Sequence, residues 1–576
     1  MRRTQETADL SGHHLQAAAQ ALLAAQHADG GWLDTLPSCA VSTATSVAAL
    51  QVADPVGSAD LIRSGADWLR RTQGADGGWG DAPGMPATLL VTPAAVGALA
   101  LVSPEESREN VRRGLERIER FGGMQAVCDP EKCKLSVMCE ILLALGGLHD
   151  ERKIRRMPIE LIFLPKRLQR RMSFIMPILY AWGLMQAETR QFSLTRRVIN
   201  RAAAPGIRKY LDEIEQFHGP DGGFEESSLT TSLVCLGLSR AGLWPDIVER
   251  CVRYLRRAAR PDGSWSVNRW LSFSATTWVT LGLQMSGYDA DPRLASALEL
   301  IATAQRRDAF PPTGAPPGGW GWSLPSGWVD TDDTANALLC LAADGHGPDS
   351  DQVRAGTAWL LAMQGKDGPW SCFRPDSAFG LDAPCAGMTA HAITALHVAG
   401  GADTSGPAIA RAVQWFAKVQ RADGAIPALW YRGLTAGTGC VLEALGRIGL
   451  ADSPTAARCR DWLLANQCHD GGWGDGLGEP STAEETAFAL LGLLAAGVPA
   501  ASVAVRGAVT WLCEHQRPDG LWDPAMVGCY YFDLSYSDDL LAAGYALQAL
   551  AAYRGHGQVP GDGGQPAERP RLHGGL

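Results

Sequence analysis

Asp330, Asp332 and Asp333 fall together in "SGWVDTDDTANALL", immediately ahead of an apolar run that reads as a helix. One aspartate there is explained by capping, since its side chain accepts a backbone N–H and its charge suits the positive end of the helix dipole. Three are not. Carboxylates packed together repel one another, and one of them is driven to keep its proton near neutral pH. Trp320 and Trp322 in "PPGGWGW", with Trp328 just ahead of the cluster, surround that acid with aromatic surface. An acid in an apolar aromatic cavity points to a hydrocarbon substrate.

The elements that must hold such a cavity are visible as a repeat. "QHADGGW" ends at Trp32, "QGADGGW" at Trp79, "HGPDGGF" at Phe224, "ARPDGSW" at Trp265, "QGKDGPW" at Trp370, "QCHDGGW" at Trp473 and "QRPDGLW" at Trp522, with a degenerate "QRADGAI" ending at Ile426. Neighbouring copies within a run stand roughly 40 to 55 residues apart, the period of a two-helix unit. "TAFALLGLLAAG" and "TWVTLGLQMSG" between copies read as buried helices that stop at Gly. The "DGG" is then a turn at a helix boundary, its Asp a cap and its Trp a packing residue, and no chemistry is assigned to it. Helical hairpins in this number either stack as an open solenoid or close into a double-layered α-α barrel, and small-residue helix faces favour closure.

The chain has 576 residues, enough for two domains that each bury a sizeable core. Its net charge of -10 argues against a nucleic-acid partner. The fourteen cysteines include no C-x-x-C pair and read as buried thiols, without a metal site. The start, "MRRTQETADLSGHHLQ", lacks a signal-peptide core, and no apolar run is long enough to span a bilayer, so the expected location is the cytoplasm.

One segment carries no repeat. "MPIELIFLPKRLQRRMSFIMPILYAWGLM" sets Lys166, Arg167, Arg170 and Arg171 between two short apolar stretches. Such a pattern suits contact with an anionic membrane face, or two buried helices joined by a solvated basic loop.

The D-x-D-D pattern at Asp330 to Asp333, preceded by "PGGWGW", followed by "TA" and set among Q-x-x-D-G-x-W repeats, resembles squalene-hopene cyclases and the wider class II terpene cyclases. "MPIELIFLP" is similar to the family's membrane-contacting channel segment, "MTAHAIT" to its "VTAH", "AGTGCVLEALG" to its "YGTGAVV" and "TAFALLGLL" to its "TAWALMALI". The resemblance implies that Asp332 donates a proton to a terminal alkene or epoxide, that Asp330 and Asp333 tune it, and that His391 hydrogen-bonds to it. It also implies that Trp322, Trp278 and Phe488, with Trp320, Trp430, Tyr431 and Tyr530, face the cations by cation-π attraction, worth about 0.5 to 2 kcal/mol each.

Departures from the family pattern bear on how the reaction ends. Asp538 and Asp539 in "GCYYFDLSYSDDLLAAGYALQAL" stand where aromatic residues or their neighbours are expected, and Val279 replaces an Asp beside Trp278. The family's water-network acids have no match near "CAVSTATSVAAL" or "VTPAAVGALA". Proton loss, with Asp538 as base, is therefore one ending and water capture the other. "KRLQRR" could also hold a diphosphate, which would bring Mg²⁺ with it; otherwise no cofactor is expected.

The reading is an all-α chain of two α-α barrels: residues 1–20 docking on the second barrel, 21–290 the first barrel with a membrane-contacting segment 157–186, 291–556 the second barrel with the acid, and 557–576 a disordered tail. The function expected is class II cyclization of a squalene-like polyprenoid, with cyclization of a prenyl diphosphate as the alternative. A protein-prenyltransferase-like or non-catalytic barrel is the rival of another class. Expected partners are the polyprenoid and the inner face of the cell membrane, contacted from one side; a homodimer is left open.

Overall fold

The computed structural model describes residues 2–169, 172, 175–215, 223–324, 327–377, 380–476, 478–530 and 534–557. Arg170, Arg171 and nearly all of the expected tail lie outside these residues.

Two kinds of helix alternate along the chain, and composition separates them. Val91–Val102, "VTPAAVGALALV", is apolar all round and almost wholly buried, as expected of a helix with neighbours on every side. Arg108–Arg120, "RENVRRGLERIER", buries only Gly114 and Ile118 and turns its charges to solvent. The first kind lines the inside of each barrel and the second covers it.

The second barrel is a closed ring. Its inner helices Ser272–Met285, Thr331–Ala343, Ala386–Val398, Thr435–Arg447, Ala483–Ala495 and Asp539–Gly557 each pack on the next, and the last packs back on the first. Close approach is set by small residues: a Cβ at Gly439 would lie 2.6 Å from the carbonyl oxygen of Phe488. Five outer helices come from between these elements, and the place beside Asp539–Gly557 is taken by Arg2–Ala24, which packs on Val503–Glu514 and Asp539–Gly557. The boundary expected at 290/291 falls after Ser272–Met285, whose ring neighbours are Thr331–Ala343 and Asp539–Gly557. The first barrel is built around Ala40–Ala53, Val91–Val102, Ser136–Leu145, Met176–Thr189 and Ser228–Ala241.

The repeat is the joint that sets these helices. Where a copy ends in Trp the indole N–H donates to a carbonyl of the preceding outer helix, as Trp79 does to Leu69 at 2.8 Å and Trp473 to Leu463 at 2.9 Å. The Trp backbone N–H donates to a threonine hydroxyl near the start of an inner helix, in the helix that follows for Trp79 to Thr92 and Trp473 to Thr486, and in one distant in sequence for Trp32 to Thr276 and Trp265 to Thr43. The Gln side chain donates to the turn glycine's carbonyl and to the next outer helix, as Gln467 does to Gly471 and Ala504.

Trp320 belongs to this joint. Its indole donates to Ile301, its backbone N–H to Thr334, and Gln305 bonds Gly318 and Gln352. This copy escapes the sequence pattern because its Gln and its Gly-Gly-Trp are separated by a longer loop.

Candidate active site

The repeat joint determines where the aspartates stand. Thr334 takes the joint's threonine place, so Asp330, four residues earlier, becomes the N-cap of Thr331–Ala343 and accepts the backbone N–H of Asp333 at 2.9 Å. A two-residue antiparallel pair, Trp320 against Asp330 and Gly321 against Val329, holds that cap beside the joint. Asp332 comes one position before Asp333 and borders a cavity of about 100 Å³.

The cavity wall is mostly apolar and aromatic. Trp278, Trp322, Phe373, Trp430, Tyr431 and Tyr530 border it together with all three aspartates. Trp322 and Trp430 both meet Phe373 edge-on, at centroid distances of 5.4 and 5.8 Å, the arrangement favoured by ring quadrupoles. Of the expected residues, Trp320 is in the joint and Phe488 lies behind the wall, packed on Tyr431 and Tyr545. Asp538 is behind the wall as well, buried and accepting the N–H groups of Leu540 and Leu541. Lys166 and Arg167 sit on the short helix Lys166–Gln169, beside a different and smaller hollow that Lys166 borders with Tyr210.

Electrostatics differ among the three carboxyls. Asp330 is fully buried, and its loss of solvent and the neighbouring Asp333 hold its carboxyl well above the usual range. Burial pushes Asp333 up to about 7, although hydrogen bonds from Asp330 and Ser274 oppose the rise. Asp332 keeps 13% of its side chain exposed and pairs with Nδ1 of His391, itself 12% exposed. Burial disfavours a charged imidazole, yet the Asp332 carboxylate overrides that and raises His391 well above its ordinary value. The opposite side of the histidine meets the Cys440 thiol.

This arrangement can deliver a proton to a carbon. An imidazolium held against one carboxyl oxygen stabilises the carboxylate that remains after transfer, while aromatic faces receive the cation. Among the described residues, one Cys/Glu/His convergence occurs, Cys128 with Glu140 and His149 in the first barrel, and it does not border the cavity.

Several residues were missed in the sequence. Phe373 and Glu225 reach the cavity from the loops just after repeat positions Trp370 and Phe224, as Trp322 does after Trp320 and Trp430 after Ile426. The signal was available: each of these residues stands a few positions after a repeat position and ahead of an inner helix. Glu225 has φ of 60°, a strained value for a side chain with a Cβ, and burial pushes it up to about 8.

Residues 15–176 match the squalene-hopene cyclase N-terminal domain, and residues 311–554 match the squalene-hopene cyclase C-terminal domain. A probable squalene-hopene cyclase of Sinorhizobium fredii is 26% identical, over 94% of this chain and 96% of its own length. A drimenyl diphosphate synthase of Streptomyces showdoensis is 27% identical over 58% of this chain and 60% of its own. The solved ent-copalyl diphosphate synthase of Streptomyces platensis, 20% identical, superposes with a TM-score of 0.60 over 95% of this chain and 99% of that one, a likeness of fold. With the acid, the aromatic cavity and both domain matches in agreement, the chain belongs to the squalene-hopene cyclase-like class II terpene cyclases, which cyclize a polyprenoid by protonating it and need no metal to do so.

Proposed function

We propose that Asp332 is the proton donor, that His391 bonded to one of its oxygens holds the resulting negative charge, and that Asp330 and Asp333 fix its position as cap and third-residue partner. The observation carrying this reading is the Asp332–His391 contact at the edge of an aromatic cavity. Protonation of a terminal alkene turns its π electrons into a new C–H bond and leaves a cation; in an epoxide an oxygen lone pair takes the proton and the C–O bond opens, its electrons staying on oxygen, to leave the cation. Trp278, Trp322, Phe373, Trp430, Tyr431 and Tyr530 line the cavity into which that cation would extend. The substrate favoured is a squalene-like hydrocarbon, because most of the surface the wall exposes to the cavity is apolar.

One observation favours a second reading, a prenyl diphosphate substrate. Arg374 follows Phe373, is 1% exposed, and its Nε and Nη2 are buried without a hydrogen-bond partner. Loss of solvent pulls its guanidinium below the usual range, a cost that an anionic head group would offset. Incubation with squalene, oxidosqualene and geranylgeranyl diphosphate, followed by mass spectrometry of the products, separates the two readings. Absence of a cyclic product from all three would sink both.

The same protein is proposed to sit on the inner membrane face. Phe163 and Leu168, 55% and 42% exposed, flank Lys166 and Arg167 in sequence, and Leu194 and Val198, 75% and 61% exposed, stand on the helix Leu194–Glu215 that packs against Ile159–Phe163; exposed apolar side chains on elements that carry basic ones suit an anionic bilayer. No described helix is long and apolar enough to cross a membrane. Equal recovery of the wild type and a Phe163→Glu, Leu194→Glu variant from anionic liposomes would count against this contact.

A further inference from the structure

Behind the Leu271 and Tyr530 wall lies a second pair of buried carboxyls that initiation does not use. Asp34, 7% exposed, accepts the backbone N–H of Leu271 at 2.7 Å through Oδ1. Asp538, wholly buried, accepts the N–H groups of Leu540 and Leu541 at 2.8 and 3.0 Å, also through Oδ1. The two segments are tied together where the Thr35 N–H donates to Asp539 at 2.7 Å. In both aspartates Oδ2 is buried and has no partner.

On the cavity side, the hydroxyl of Tyr530 is likewise buried and unpartnered. Three unsatisfied oxygen atoms in one place are costly unless something joins them, and a water with several polar neighbours is the ordinary solution. Desolvation and the adjacent carboxylate hold Asp34 well above its usual value, and burial takes Asp538 up to about 7. Asp539, Glu484, Tyr536 and Cys39 are the other titratable groups acting on the pair or the tyrosine. A pair poised in this way can both take up and release a proton near neutral pH.

We propose that Tyr530, backed by the Asp34–Asp538 pair, takes the proton from the final carbocation, so that the reaction ends in an alkene. The inference rests on the class II cyclization reading and adds to it where the proton leaves. In this step the C–H pair next to the cationic carbon becomes the new double bond and the proton goes to the phenolic oxygen. The tyrosine's own hydroxyl proton passes to an unpartnered carboxylate oxygen of the pair. One proton enters at Asp332 and one leaves here, so the product is an isomer of the substrate. Tyr530 touches the substrate; Asp34 and Asp538 act through it and are positioning residues.

The test uses the full-length protein and whichever polyprenoid the wild type consumes. Asp34→Asn and Asp538→Asn keep a side-chain oxygen to accept the same backbone N–H groups, so the local caps survive, but an amide does not take up the proton. Tyr530→Phe removes the phenolic oxygen. The ratio of the wild-type alkene to isomeric alkenes and alcohols is expected to fall by about tenfold or more in all three. Lower total turnover with the wild-type product ratio retained would overturn the proposal, because that is what a purely structural role gives. A wild-type product that is an alcohol also overturns it. A wild type that consumes none of the polyprenoids defeats the cyclization reading itself, a failure seen without any variant.

Discussion

The N-termini of Thr331–Ala343 and Ala483–Ala495 are built on one plan. Asp330 and Thr482 are the N-caps, Asp333 and Glu485 sit three residues on and return a backbone N–H to the cap, and Thr334 and Thr486 are the joint threonines. Asp332 and Glu484 therefore occupy the same helical position. Glu484 accepts the Ala525 N–H at 2.8 Å, is 0% exposed and is pushed by burial up to about 7. Asp332 keeps a face on the cavity and has His391. A carboxyl at the second position of an inner helix is thus a standard possibility of this scaffold. On the proposed reading, what makes one of them an acid for carbon is an open wall and a cationic partner.

The comparison breaks most sharply on substitution of the two carboxyls. Asp332→Asn should lower turnover by about 10³-fold or more with the far-ultraviolet circular dichroism unchanged; wild-type turnover in that variant would make the two positions equivalent. Next in size, His391→Gln should cut kcat by roughly 10²-fold, since an amide hydrogen-bonds but carries no charge.

A smaller effect comes from the buried partner Asp333. Its folded value of about 7 exceeds the ordinary 3.8, so between those values the unfolded chain ionises while the folded chain does not, and stability falls as pH rises through that window. Asp333→Asn removes this loss. The melting temperature of the variant relative to wild type should therefore rise from pH 4 to about pH 7 and level off above it, as followed by thermal denaturation; a difference independent of pH would show that Asp333 is ionised in the fold. Smallest of all, Glu484→Gln should leave kcat within about twofold and stability within about 1 kcal/mol, because the amide oxygen still accepts from Ala525.

The same contrast shows what was legible in the sequence. The all-α barrel architecture followed from the Trp repeats and the buried helices between them, since both are local patterns. Asp330, Asp332 and Asp333 were legible because three like charges crowd one helix end. His391 was recognisable only through its motif, as its meeting with Asp332 depends on two inner helices lying side by side in the ring. Trp320 was misplaced because its indole is spent on Ile301, a partner that no spacing within "PPGGWGW" reveals. Phe488 was chosen through its motif, but it packs on Tyr431 and Tyr545 behind the wall. Arg374, Glu225 and Asp34 were passed over for a common reason: each is a polar residue in a loop, the setting in which solvent exposure is expected, and only tertiary closure buries it.

Helix Arg2–Ala24 has a consequence for how the protein comes to be made. It fills an outer place of the catalytic ring, where His14 accepts the Gln516 side-chain N–H through its carbonyl at 2.9 Å across 502 positions of sequence. This helix, synthesised ahead of the rest of its ring, is thus among the last to find its seat, and the first barrel is threaded, in order of synthesis, between two parts of the second. Its apolar stripe must wait, unspent, through most of translation. Anything attached before residue 2 is, in space, attached to the barrel that carries Asp332.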